Sequence, residues 1–238
     1  MRKVKPDSVI TSEGVTECFI DKFDLDLARE IADLNGHVGS EQTLPIPMFH
    51  SVYHDYHVTY GTVSTFKPRG GRQRIFMEHF HYAEALTLVG GGQLMISGVF
   101  AGDDEKEKYK PLFDYMETLT RARKSAREHF NMGRWLPPLR IDCDAVDVEF
   151  NAERPPKKNV PAVISGCFEY NDTIVVVLVN HTGAPRGIKV NLSPFTFGRS
   201  GEQAQASQIF PETKAVDLDA DNVLGAEMPP LSAWVIKL

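Results

Sequence analysis

A change of pattern at residues 135–138 constrains the fold of this 238-residue chain more than any other feature. Before it, short β-branched segments alternate with stretches whose apolar residues recur at helical spacing. After Trp135-Leu136-Pro137-Pro138, short strand-like runs are separated by turn residues, and no helical stripe follows. Alternating strands and helices predict an α/β layer with parallel strands, whereas closely spaced strands predict a β-sandwich. The sequence therefore predicts two domains, 1–138 and 139–238.

The first domain contains three predicted strand–helix units. The strands are predicted at 8–13, 46–53 and 93–98, and the helices at 24–35, 72–89 and 104–132. Sequential units of this kind predict neighbouring parallel strands in that order. Three units are too few to close a (β/α)₈ barrel, which takes about 250 residues. This half is thus predicted to be the last part of such a barrel, with a small open α/β sheet as the structural alternative.

The second domain reads as an antiparallel sandwich of roughly 100 residues. Turn residues such as Asn171-Asp172 and Pro229-Pro230 separate its strands, and Trp234 is expected to be at least partly buried on the last one. The strands are predicted at 160–169, 173–180, 187–192, 205–210 and 231–238.

Composition excludes several classes of function. A net charge of −6 and a pI near 5.8 argue against nucleic acid as a partner. No segment has the apolar length of a membrane span. The amino terminus lacks the apolar stretch of a signal peptide, so the chain reads as cytoplasmic as it stands and as exported if an upstream segment precedes it. Three widely spaced cysteines suggest neither a disulfide framework nor a zinc site.

Histidines raise the question of a metal centre. Five of them lie between positions 50 and 81, but neither H-E-x-x-H nor a Cys/His zinc pattern occurs. We therefore predict no metal and no cofactor.

Short motifs along the chain resemble the end of a known type of enzyme. In the first half these are ITSEG (10–14), PMFHSVYHDY (47–56) with Tyr60-Gly61, and GQL (92–94). In the second half they are VLVNH (177–181) and PLSAWV (230–235), after a helix that ends at Gly133-Arg134. In order and content they resemble the final barrel strands and appended sandwich of large bacterial glycoside hydrolases, similar to the endo-α-N-acetylgalactosaminidase type of retaining glycosidase. The earlier barrel strands of those enzymes have no counterpart here.

Glu13 is the candidate catalytic residue. It stands at the carboxyl end of a predicted barrel strand, where barrel enzymes build their sites, and Gly14 beside it allows close approach of a substrate. The resemblance implies that Glu13 acts as general acid/base. A loop glutamate that caps a backbone amide is the alternative. A retaining mechanism needs a second carboxylate about 5–5.5 Å away, and we expect that nucleophile outside this chain.

Tyr53, His54, Asp55 and Tyr56 are the candidate substrate-binding residues. Aromatic faces stack on the apolar side of a sugar ring, while His and Asp bond its hydroxyls. The alternative is that the two tyrosines only pack against the next helix. The expected partners are an oligo- or polysaccharide and either the missing barrel half or a second copy of the chain. A non-catalytic carbohydrate-binding or structural module remains the competing hypothesis.

Overall fold

The computed structural model describes residues 11–12, 25–27, 48–61, 77–95, 107, 109–149, 156–196 and 206–238. Its helices are α1 (Met48–Tyr53), α2 (Met77–Val89), α3 (Lys110–Ser125), α4 (Arg127–Met132) and the single turn α5 (Ser193–Thr196). The first strands are β1 (Thr11–Ser12), β2 (Leu25–Leu27), β3 (Val58–Tyr60), β4 (Arg134–Leu136), β5 (Ile141–Asp142), β6 (Ala145–Val148) and β7 (Lys157–Pro161). The later strands are β8 (Val163–Tyr170), β9 (Thr173–Asn180), β10 (Arg186–Asn191), β11 (Ser207–Phe210), β12 (Lys214–Ala215), β13 (Val223–Met228) and β14 (Ser232–Lys237).

The amino-terminal strands form a parallel layer in the order β1-β2-β3. A parallel bridge between Tyr60 and Gln93 adds a fourth chain segment beside β3. The parallel direction was therefore predicted correctly. The predicted adjacency of the first two strands was not, because β2 lies between β1 and β3.

Two predicted elements in this layer were wrong. Residues 48–53 form α1 rather than a strand, since the spacing of Phe49, Val52 and Tyr53 suits a helix, and a short apolar run does not decide between the two. The strand comes later, as β3. Leu25–Leu27 form β2 rather than the start of a helix, because leucines that alternate with aspartates follow the period of a strand.

The helical layer follows the prediction with one break. α2 ends at Val89 as expected. The predicted long helix divides at Ala126, whose φ of −135° and ψ of 39° are not helical. The hydroxyl of Ser125 donates to the carbonyl of Ala122 over 2.7 Å, a local bond that competes with the helical ladder.

The carboxyl-terminal strands form antiparallel sheets. The main sheet has six strands in the order β12-β11-β14-β9-β8-β4, and a second sheet has the order β13-β10-β5. β9 spans the predicted 173–180, and the predicted 187–192, 205–210 and 231–238 recur as β10, β11 and β14 with small shifts at their ends. The predicted strand 160–169 begins in β7 and lies mostly in β8. β4 pairs with β8, so the main sheet begins at Arg134, before the predicted domain boundary.

β9 lies at the centre of three layers. Its residues alternate between two cores: Val175, Val177 and Val179 pack towards α2 and α3, whereas Val176 and Leu178 pack towards the smaller sheet. Burial on both faces explains why the strand is an unbroken apolar run. Trp234 on β14 is partly buried against the second core, as predicted.

The helices contact the main sheet closely at Gly166. A Cβ atom built on Gly166 would lie 2.2 Å from the carbonyl oxygen of Val89, at the end of α2. The indole Nε1 of Trp135 donates to that same oxygen over 3.1 Å. Only glycine allows the helix end to approach β8 this closely. None of the helices in the described part of the chain is long and apolar enough to span a membrane.

Candidate functional site

The strands of the parallel layer have two sets of ends, at their carboxyl and amino termini, which we call the carboxyl edge and the amino edge. β1, β2 and β3 end at Ser12, Leu27 and Tyr60, and these residues define the carboxyl edge. The residues that precede β3 define the amino edge. In parallel α/β folds, ligands bind at the carboxyl edge, whereas the opposite edge serves stability.

Glu13 lies outside the described residues. Its predecessor, Ser12, is the last residue of β1 and pairs with Asp26 of β2. The strand to which Glu13 was assigned is therefore present and parallel to its neighbour, with its end on the carboxyl edge.

The four predicted sugar-binding residues occupy the opposite edge. Residues 53–57 form a turn between α1 and β3, which we call the 53–57 turn, and they precede the strand rather than follow it. The prediction placed them at a strand end because it took 46–53 to be the strand. The structure does not bring this turn to the edge where β1 ends.

His54 faces the interior of the molecule. Only 6% of it is exposed, and its Nδ1 donates a hydrogen bond of 2.7 Å to the carbonyl oxygen of Gly133. Its ring lies 5.2 Å from that of Phe168 on β8. Burial lowers the pKa of His54, although the bond to Gly133 opposes the shift. A neutral ring with its proton on Nδ1 thus connects the 53–57 turn to the sandwich.

A glycine makes room for the His54 ring. Gly91 has a φ of +82°, and a Cβ atom there would lie 1.9 Å from Nε2 of His54. Both features require glycine. Arg123 holds the same chain segment, because Nε and Nη2 donate to the carbonyls of Gly92 and Gly91 over 3.1 and 3.2 Å. The amino edge is therefore closely packed beneath the turn.

Three other residues of the turn reach solvent, whereas His57 is buried. Asp55 is exposed, and 77% of Tyr56 is exposed, whereas Tyr53 is only partly so. Backbone bonds to the carbonyl of Tyr53 from the amides of Tyr56 and His57, of 3.0 and 2.9 Å, close the turn. The rings of Tyr53 and Tyr56 are thus not equivalent, and Tyr56 presents the more accessible face.

Tyr60 is a carboxyl-edge residue that sequence reasoning missed as a site residue. Thr59 is 3% exposed and lies on the side of Gly92 and Thr87. Since side chains alternate along a strand, Tyr60 points to the opposite face, and it is partly exposed there. The only sequence signal was its place in the Tyr60-Gly61 motif.

Gly61 fixes the end of β3 beside Tyr60. Its amide donates to the carbonyl of Gln93 over 2.5 Å, and the amide of Gln93 donates to the carbonyl of Thr59 over 2.8 Å. A Cβ atom on Gly61 would lie 2.9 Å from both the Gln93 carbonyl oxygen and the Thr87 methyl carbon. Gln93 thus holds the backbone immediately before and immediately after Tyr60.

Glu84 is a buried acid away from both edges. It lies on α2 with no exposed surface, and within the described residues neither carboxyl oxygen has a hydrogen-bond partner of good geometry. Burial raises its pKa to about 8, while the nearby Met95 amide lowers it slightly. The shift reflects the apolar packing of α2 against α3. Within the described ranges no group of three or more His, Cys, Asp or Glu side chains could hold a metal ion.

Comparisons with known proteins place this fold among glycoside hydrolases. Residues 1–64 match a family model described as "Domain of unknown function (DUF6259)". No curated protein matches the sequence significantly.

Solved structures match the whole chain. A maltogenic alpha-amylase from Thermotoga neapolitana matches 100% of it at 12% identity and a TM-score of 0.55. An alpha-amylase from Geobacillus thermoleovorans, complexed with acarbose, matches 99% at 12% identity and a TM-score of 0.53. A debranching enzyme from Nostoc punctiforme matches 100% at 11% identity and a TM-score of 0.53.

These matches cover 57%, 54% and 53% of the three enzymes, so the chain spans about half the length of the structures it resembles. At these identities the likeness is one of fold. The chain thus has the fold of part of a glycoside hydrolase.

Proposed function

We propose that this protein is a glycoside hydrolase of the retaining, two-carboxylate type, or a part of one, with Glu13 as its general acid/base. The observation that carries the proposal is the common carboxyl edge at which β1, β2 and β3 end. The glycoside hydrolase fold of the solved relatives supports the substrate class, an oligo- or polysaccharide.

Strand register supports a joint role for Glu13 and Tyr60. Ser12 pairs with Asp26, which pairs with Thr59, and in the next row Leu27 pairs with Tyr60. Glu13 follows Ser12 in the sequence, as Leu27 follows Asp26 and Tyr60 follows Thr59. Strands are about 4.8 Å apart, and β2 lies between β1 and β3, so the strand end next to Glu13 and the strand end at Tyr60 are roughly 10 Å apart.

Each residue has a defined chemical task in this proposal. The carboxylic acid of Glu13 protonates the glycosidic oxygen as the bond to the anomeric carbon breaks, and a second carboxylate attacks that carbon. Glu13, now ionised, then takes a proton from the water that releases the sugar. The ring of Tyr60 offers an apolar face on which the sugar stacks.

The nucleophile belongs to a part of the site that we do not assign to this chain. Among the described residues, no acid ends a strand at the carboxyl edge. A complete (β/α)₈ barrel supplies its catalytic residues from several strands. We propose that the strand carrying the nucleophile comes from a missing barrel half.

The test is hydrolysis of activated aryl glycosides by the purified chain, over a panel that includes α-N-acetylgalactosaminides and α-glucosides. Residual turnover should fall at least tenfold in Glu13→Gln, because an amide neither donates nor takes the proton. The loss should be larger for a phenyl leaving group than for a dinitrophenyl one, which departs without protonation. Glu117→Gln, an exposed change on α3, is the matched control.

A non-catalytic carbohydrate-binding module is the second candidate. The observation in its favour is that the chain spans only about half of its structural relatives. Binding of oligosaccharides without any turnover, even when a polypeptide that carries the early barrel strands is added, would favour this module. Absence of both turnover and binding across the panel would contradict carbohydrate activity altogether.

A further inference from the structure

We propose that Tyr56 and Asp55 form a second carbohydrate contact, on the amino edge and separate from the proposed catalytic edge. The inference rests on the proposed carbohydrate substrate but not on catalysis by Glu13. It assigns the 53–57 turn to holding a polymer, rather than to the cleavage site.

The turn is a rigid support for the Tyr56 ring. Its backbone is closed by the two bonds to the carbonyl of Tyr53, and His54 connects it to Gly133 and Phe168 of the sandwich side. Sugar binding by aromatic stacking gains from such support, because a fixed backbone loses little conformational freedom on binding. The turn therefore presents an exposed ring on a fixed backbone.

Exposed apolar surface is concentrated around this turn. Only four large apolar side chains are exposed in the described part of the chain: Val52, Tyr56, Phe113 and Met132. Three of them adjoin the bond between His54 and Gly133. Val52 lies in α1, two residues before His54, and Met132 directly precedes Gly133. Such a concentration marks a contact surface rather than scattered exposure.

The size and chemistry of this surface favour a sugar over a protein. A stable protein interface buries about 800 Å² on each partner. Three exposed large apolar side chains are few compared with the roughly 20–30 residues that each partner of such an interface contributes. Asp55 beside the ring adds a carboxylate that accepts hydrogen bonds from hydroxyl groups. One aromatic face with an adjacent polar acceptor suits a sugar ring of an extended polysaccharide.

The test is affinity electrophoresis of the full chain in native gels that contain amylopectin, xylan or mucin. We expect retardation by at least one of these polymers, and Tyr56→Ala should weaken the apparent affinity about tenfold or more. Tyr56→Phe should retain it, since the stacking face remains. Phe113→Ala, an exposed aromatic on α3, is the matched control.

Three outcomes separate the hypotheses. Unchanged retardation of Tyr56→Ala, with the wild type retarded, would overturn this inference and leave the proposed function standing. A change in molecular mass of Tyr56→Ala by light scattering, without a change in retardation, would overturn it in favour of a protein contact. Retardation lost in Tyr56→Ala but kept in Tyr56→Phe and Phe113→Ala, with an unchanged Tm, is the result we expect.

Discussion

Glu84 has the most unusual environment of any single residue in the described part of the chain. Burial raises its pKa from 4.5 to about 8, so the folded state binds the proton more tightly than the unfolded state does. The contribution of protonated Glu84 to the free energy of unfolding is therefore fully present below pH 4.5 and is lost as the pH rises towards 8. At pH 7, keeping the group protonated costs about 3 kcal/mol, at about 1.36 kcal/mol per pKa unit.

Glu84→Gln should remove this dependence on pH. We expect the variant to be more stable than wild type by up to about 3 kcal/mol at pH 7 and nearly equal to it at pH 4. The measurement is urea denaturation at several pH values. His81 titrates with the opposite sign, because burial lowers its pKa to about 4, so the difference between the two proteins at each pH is the informative quantity.

Glu78→Gln provides the control for this prediction. Glu78 is an exposed residue in the first turn of the same helix, so its replacement should change stability by less than about 0.5 kcal/mol. If the difference in the free energy of unfolding between Glu84→Gln and wild type stays constant from pH 4 to pH 8, then burial does not raise the pKa of Glu84.

Residue identity alone predicted some site chemistry but not its orientation. The motif with Tyr53, His54, Asp55 and Tyr56 was recognised, yet nothing in those letters shows that His54 turns inward to Gly133 while Tyr56 turns outward. That difference depends on Gly133 and Phe168, which lie far away in sequence. Tyr60 was overlooked because the face of the sheet to which it points follows only from the burial of Thr59, the preceding residue of the strand, on the opposite face.

At the scale of elements, the position of α2 on the main sheet depends on Gly166. The backbone of Val89 occupies the space in which a Cβ atom of residue 166 would lie. Backbone atoms on both sides cannot move aside as a flexible side chain can. The contact between helix and strand therefore tolerates no larger residue.

Gly166→Ala should destabilise the protein by about 1–3 kcal/mol, the usual cost of overpacking a core. Gly225→Ala is a matched change on β13, where a Cβ atom meets nothing within 4 Å. That variant should be neutral or slightly stabilising, since alanine in a strand costs less entropy than glycine. Midpoints of urea unfolding measure both. Equal midpoints for the two variants would contradict the close approach of α2 to β8.

Element prediction succeeded where one physical signal dominated. β9 was predicted at its observed bounds because its apolar run lies between two turns, Asn171-Asp172 and His181-Thr182-Gly183. α1 was mistaken for a strand because six residues of mixed apolar character carry no distinctive period. That single error moved the 53–57 turn to the wrong edge of the sheet. The position of the turn thus depended on the least reliable element.

For the whole molecule, the sequence predicted the two types of layer but not their connection. The change of pattern near residue 135 separates parallel from antiparallel strands, as the structure has them. It does not show that the main sheet lies between the helices and the smaller sheet. That arrangement follows from the double-sided burial of β9 and from long-range contacts such as Val89 with Trp135. The division into domains 1–138 and 139–238 remains a proposal, with β4 on the sandwich side.

The last prediction concerns the chain as a unit: alone, it should hydrolyse glycosides weakly or not at all, and it should self-associate. Within the described residues, β1 is paired on one side only, by β2. An edge strand presents unpaired backbone N–H and C=O groups that tend to pair with another chain, so a second copy or the missing half should cover β1. Two copies would bring the same residues and not the absent nucleophile. Association should therefore raise the mass without restoring turnover.

Light scattering over a wide range of chain concentrations, with aryl glycoside hydrolysis measured on the same samples, tests this. We expect a mass near twice that of the 26.6 kDa chain and a specific activity that stays low at every concentration. Glu13→Gln should form the same assembly, because its role is chemical rather than structural. A monomer with robust turnover that is unaffected by Glu13→Gln would contradict both the incomplete-site hypothesis and the role of Glu13.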